Sequence, residues 1–200
     1  SNYGIIRDSG SSATVQGHDY VGGLAGVSRD AELNNVYAEG DVTGHDTVGG
    51  LVGGLWATSG GSSTLANAYA TGNVNGNYLV GGLVGETSTY STITNAYADG
   101  DISGGYKVGG LIGESSGTVT NAYATGDVYA SEGAVGGLIG GMMEGSITKS
   151  FAVGNVTTAG NNPVSVSDGM GGTVTIYPVD AGGFVGHMED GTLTIAGKSV

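Results

Sequence analysis

Four sets of residues in this sequence carry groups whose type and spacing could do chemistry. The first is Asp41, Asn73, Asp101, Asp127 and Asn155. Carboxylates one strand spacing apart repel, so Asp101 and Asp127 need water, a hydrogen-bond donor or a cation between them. Calcium held by Asp41, Asp101 and Asp127 is one of those alternatives, although neither the EF-hand spacing nor the nonapeptide calcium repeat is present. The second set is His18-Asp19 and His45-Asp46. These dipeptides fall at one turn in successive repeats, where the imidazoles would either pinch a transition metal or stand solvated. The third set is Thr92/Thr94, Thr118/Thr120, Ser146/Thr148 and Thr192/Thr194. In register they would make a flat hydroxyl array able to take ice or glycan, centred on Thr92, Thr94, Thr118 and Thr120. The array decays at Glu32/Asn34 and Thr64/Ala66, and threonine pairs are ordinary on exposed strands. The fourth set is Tyr37, Tyr69, Tyr97, Tyr123 and Phe151, beside Asn35, Asn67, Asn95 and Asn121. Stacked like side chains stabilise such folds, and the alternative for the tyrosines is a carbohydrate-binding strip. Nothing in these sets makes a catalytic constellation. His18, His45 and His187 have no nucleophile that the repeat would place beside them, and Arg7, Arg29, Lys107, Lys149 and Lys198 are scattered. The expectation is no enzyme and no cofactor beyond the calcium alternative.

These residues fall into sets only because the sequence repeats. The phrase Val-Gly-Gly-Leu-Val-Gly, with small variations, starts at Val21, Val48, Val80, Val108 and Val135, and a relaxed copy starts at Ala181. In phase with it runs Asn67-Ala-Tyr-Ala-Thr-Gly-Asn-Val74 and its copies at 35–42, 95–102 and 121–128, with a worn one at 149–156. Self-similarity at about 28 residues marks a solenoid, because one repeat cannot bury its apolar face alone and must share a core with its neighbours. The pieces between glycines are β-branched or alternating, which are strand signals, and no stretch keeps a helical period. The fold expected is therefore all-β, a right-handed parallel β-helix of about six coils with three short strands in each. Leu24, Leu51, Leu83, Leu111, Leu138 and Phe184 should form one buried column along its axis. Residues 1–200 read as a single solenoid domain, with 157–178 an inserted β-hairpin or loop between the last two coils.

Composition fits. There are 43 glycines against two prolines and no Gly-x-y period, which excludes collagen. With 18 acidic and 5 basic residues the net charge is −13, which argues against nucleic acid and anionic membrane surfaces as partners. No apolar run approaches the roughly 20 residues of a membrane span. The chain lacks cysteine, so no disulfide framework is available and the redox compartment stays open.

The paired phrases, Val-Gly-Gly-Leu-Val-Gly and Asn-x-Tyr-Ala-x-Gly-Asp-Val, resemble the GLUG repeat. That resemblance implies a non-catalytic region of a large bacterial or archaeal surface protein of the adhesin type, and hence an extracellular or cell-surface location. The same repeat occurs in immunoglobulin-A metallopeptidases, but their His-Glu-x-x-His zinc signature is missing here. Residues 1–17 align on 114–130, and Gly191-Thr-Leu-Thr194 matches Gly117-Thr-Val-Thr120, so both ends read as open coils entered and left in the same strand. The expected partners are flanking repeats of a longer chain or further copies stacked head to tail, with glycan as a ligand alternative.

Overall fold

A computed structural model of the chain describes residues 4–159, 164–167, 173–176, 180–189 and 192–194. Among these residues every regular element is a β-strand. Strands from successive repeats pair in parallel, each to its counterpart one repeat away, which builds four stacked sheets running the length of a β-solenoid. Six strands in each of three sheets give about six coils. At the ordinary strand spacing of ~4.8 Å they make a rod core roughly 30 Å long.

One coil shows the design. Ser63–Ala70, Val74–Asn75, Tyr78–Gly81 and Val84–Thr87 lie directly over Ser91–Ala98, Ile102–Gly104, Tyr106–Gly109 and Ile112–Ser115. Each coil therefore holds four strands where three are expected from the sequence. The difference arises inside the glycine phrase, which is split between two strands: Val80-Gly81 ends the third and Val84 begins the fourth. The corner between them is closed by the Leu111 carbonyl, which accepts the backbone N–H groups of both Leu83 (2.9 Å) and Val84 (3.1 Å).

The glycines of the phrase work by close approach. A Cβ on Gly82 would sit 2.1 Å from the Gly110 carbonyl oxygen of the next coil, and one on Gly81 would sit 2.7 Å from the Gly113 nitrogen. The third and fourth strands thus pack backbone on backbone, a spacing that no side chain fits. The apolar positions of the phrase face the interior. Leu51, Leu83, Leu111 and Leu138 form a fully buried column, with Leu24 and Phe184 partly buried at its two ends. That column joins Leu33, Leu65, Ile93, Val119 and Ile147 in the larger core cluster. A second, narrower cluster stacks Val42, Val74, Ile102 and Val128 against Val48, Val80, Val108 and Val135.

The insertion interrupts the coil at one corner only. Val156–Thr158 still pairs with Val128–Ala130, and Ala181–Gly182 still pairs with Val135–Gly136. Between them Val164–Ser167 pairs antiparallel with Thr173–Ile176 as a separate two-stranded sheet; the remainder of 157–178 beyond residue 159 lies outside the described residues. No helix among the described residues is long and apolar enough to cross a membrane.

Candidate functional site

The first sheet carries most of the outward-facing repeated groups, and a backbone irregularity decides which way they face. Simple alternation from Ser91 would put Asn95 and Tyr97 inside. Asn95 instead has φ of 53°, as do its counterparts within a few degrees: Asp8, Asn35, Asn67, Asn121 and Lys149. A left-handed residue in mid-strand shifts the phase by one, so that Ala96 and Ala98 point inward and Tyr97 outward. Asparagine tolerates this conformation better than other side chains with a Cβ. Its amide is also used: Asn95 Nδ2 donates to Asn67 Oδ1 (3.1 Å), and Asn121 Nδ2 donates to Asn95 Oδ1 (2.7 Å). At the next coil the ladder changes partner, Asn67 Nδ2 donating to Asn34 Oδ1 (3.0 Å) while Asn35 donates to Asp8 Oδ1 (2.6 Å).

Beside the amides the rings of Tyr37, Tyr69, Tyr97, Tyr123 and Phe151 stack with centroids 5.0 to 5.3 Å apart and planes within 9° of parallel. The ring faces are turned toward one another along the rod, which leaves the edges and hydroxyls for solvent. Burial raises the Tyr69 and Tyr97 hydroxyls above the usual phenol value. A sugar stacks on an aromatic face, so this column offers little of what a carbohydrate strip needs.

On the same sheet Thr92 lies between Thr64 and Thr118, and Thr94 between Ala66 and Thr120. Thr118 pairs with Ser146 and Thr120 with Thr148, the last two joined hydroxyl to hydroxyl at 3.1 Å. Toward the first coil the hydroxyl row gives way to an ion pair in which Arg7 donates to both Glu32 carboxylate oxygens (2.9 and 2.8 Å), holding the Glu32 carboxyl below its usual value.

The Asp column runs along the corner after the first sheet, where it lines one side of a groove of about 550 Å³ with Thr43, Asn75, Ser103, Tyr129 and Thr157 on the other. Its oxygens have a donor in the fold itself. Asn73 N donates to Asp41 Oδ1, Asp101 N to Asn73 Oδ1 and Asp127 N to Asp101 Oδ1, all at 2.9 Å, and Asn155 N donates to Asp127 Oδ1 at 2.8 Å. The backbone N–H of Asn155, then its side-chain amide, holds the Asp127 carboxyl below the usual carboxylate range. Of the three alternatives for relieving adjacent carboxylates, the structure supplies the hydrogen-bond donor. Asp41 and Asp101 are two coils apart with Asn73 between them.

One further cluster lies outside the four sets and gathers Lys107, one of the scattered basic residues, with two glutamates. Glu86 and Glu114 are register neighbours in the fourth sheet, and Lys107 forms an ion pair with Glu114. Lys107 gets there because it occupies a left-handed column within the strands of the third sheet, with φ of 51°. Burial, then the Glu114 charge, raises the Glu86 carboxyl; a hydrogen bond from the Trp56 side chain opposes the shift. Trp56 in turn carries the Arg29 guanidinium 5.0 Å from its ring centroid and the edge of Tyr20 at 5.1 Å. The glutamate that directly follows the phrase at Glu86 and Glu114 is the signal the sequence carries. The cluster pairs one lysine with one carboxylate and sets the other beside the Trp56 side chain.

His18 and His45 do come together. Their rings stack at 4.8 Å, and His18 Nδ1 lies 2.6 Å from Asp19 Oδ1. His18, Asp19 and His45 are the one group among the described residues whose ligand atoms gather closely enough for a metal ion.

Two adjacent segments, residues 76–103 and 104–129, match the GLUG motif. Each spans one turn of the solenoid, so the middle of the rod is a GLUG-repeat region, and the coils on either side keep the same register although their sequences are more worn. Among curated proteins none matches the chain.

Proposed function

We propose that this chain, a β-solenoid whose central coils are GLUG repeats, serves as a non-catalytic rod of an extracellular or cell-surface protein, either the stalk of an adhesin or a subunit stacked head to tail in a filament. One observation carries the reading: the repeated polar columns are used to join coil to coil. The Asn amides bond along the rod, the Asp oxygens take the N–H of the next coil, and the tyrosines stack on each other. Groups committed in this way transmit force and hold spacing, and leave little over for turnover. The acidic balance, net −13, suits a solvated rod that repels nucleic acid. Protease shaving of intact source cells, followed by immunodetection of this region, tests the location. Loss of signal from untouched cells supports the reading, and protection until lysis overturns it. Sedimentation velocity across a concentration series separates stalk from filament: concentration-dependent linear growth supports the filament, and a constant monomer supports the stalk.

A second reading rests on the unbroken register of Thr64, Thr92, Thr118 and Ser146. Hydroxyls one coil apart on a flat parallel sheet are a surface that ordered water or a glycan would match. Thermal hysteresis in a freezing assay supports ice binding, and ordinary colligative freezing removes it.

A further inference from the structure

We propose that His18, Asp19 and His45 bind one divalent transition-metal ion, with zinc as the reference case, and that the ion clips two successive coils together. The backbone sets the site. At this corner the His18 carbonyl accepts the N–H groups of both His45 (2.7 Å) and Asp46 (3.0 Å), and the His45 carbonyl likewise accepts from Asn77 (2.9 Å) and Tyr78 (3.0 Å). This double acceptance stacks residues 18, 45 and 77 along the rod, so two imidazoles are held a strand spacing apart. Their ring centroids are 4.8 Å apart, and one ligand atom from each of His18, Asp19 and His45 lies within 4.8 Å of the others. Zinc binds nitrogen and carboxylate oxygen at ~2.0–2.2 Å. All three residues are exposed, so their side chains have solvent into which to turn as the donors close around the ion.

Three further features favour a metal over a merely solvated pair. The repeat does not need histidine here, since Asn77 and Gly105 occupy the same corner in later coils without change of its hydrogen bonding. Asn77 does not close the site from the next coil, because its carboxamide oxygen lies 2.6 Å from where a Gly105 Cβ would be, directed along the rod away from His45. Asp46, register partner of Asp19, has its Oδ1 buried with no hydrogen-bond partner, an uncompensated oxygen on the residue next to His45. Imidazole with carboxylate suits zinc, copper or nickel rather than calcium or magnesium, and water would complete an open tetrahedral site.

Isothermal titration of the full chain with zinc chloride tests the assignment, using His18→Asn, His45→Asn and His187→Asn. The chain has three histidines, and His187, which pairs with Asp180 at 2.6 Å, is the internal control. One ion per chain is expected. His18→Asn and His45→Asn should each weaken binding by more than the ~10–100-fold that loss of a supporting group costs at metal sites, while His187→Asn leaves it unchanged. Melting in chelator should be the same for the wild type, His18→Asn and His45→Asn, since both replaced side chains are exposed, and zinc should raise the melting temperature of the wild type and of His187→Asn alone. Absence of saturable binding, binding that survives His45→Asn, or binding lost only with His187→Asn overturns the proposal.

Discussion

Replacing Asn95 isolates the backbone irregularity on which the outward face of the first sheet depends. Asn95 has φ of 53°, donates to Asn67 at 3.1 Å and accepts from Asn121 at 2.7 Å. Glycine and alanine both delete the amide, so both lose the same two hydrogen bonds. Those bonds are exposed, and at the low end of the net range they contribute about 0.5–1 kcal/mol each. The two variants differ only in the backbone. A Cβ in the left-handed region costs about 1–2 kcal/mol, whereas glycine in a regular strand is about 0.5–1 kcal/mol worse than alanine. At Asn95 the first effect should win. Asn95→Gly should therefore cost about 1–2 kcal/mol, and Asn95→Ala roughly 1 kcal/mol more, read from urea unfolding by linear extrapolation. Thr94, the preceding residue, lacks the positive φ and serves as the control, with alanine the better replacement there. Equal stability of the two Asn95 variants, or an advantage for alanine, would refute the claim that the left-handed backbone at this position weighs on stability beside the amide ladder.

Leu83→Ala should cost about 3–5 kcal/mol, because backbone bonds at 2.9 Å to the coils on both sides hold the cavity open. Leu24→Ala, at the partly buried end of the same column, should cost clearly less, and equal losses in urea melts would contradict the column. Glu86 has its folded-state pKa raised, chiefly by burial, so its ionisation destabilises the fold above that pKa and the penalty disappears below the unfolded value of ~4.3. Glu86→Gln should accordingly raise the melting temperature at pH 7, with the gain shrinking to nothing as the buffer is taken below pH ~4; a gain independent of pH would point to packing instead.

The repeat period, the all-β solenoid and the leucine column were legible because they depend on which residues recur, and recurrence is visible in one chain. Leu51, Leu83, Leu111 and Leu138 needed only their shared place in a phrase. The fourth strand was hidden because Val80-Gly81 and Val84-Gly85 look like one apolar run. What divides them is the approach of Gly82 to Gly110 in another coil, a contact that exists only after stacking. The asparagine ladder was legible as a set, but its left-handed backbone was not, although asparagine recurring in mid-strand is the signal a positive φ leaves. Lys107 and Glu114 escaped for the same reason: the φ of 51° at Lys107 carries its side chain over the neighbouring sheet, where a strictly alternating strand would not send it.

The interrupted corner has a consequence for engineering. Residues 131–134 connect the second strand of one coil to its third, whereas in the next coil the same connection takes residues 159–180, and the strands on both sides keep their register. By loop-closure entropy alone, going from about 4 to about 22 residues costs only ~1.5 kcal/mol. That corner is therefore a splice port. Foreign loops, epitopes or whole small domains could be set into the equivalent corners at residues 44–45, 76–77 and 105, spaced along the rod like rungs, with their separation counted in coils.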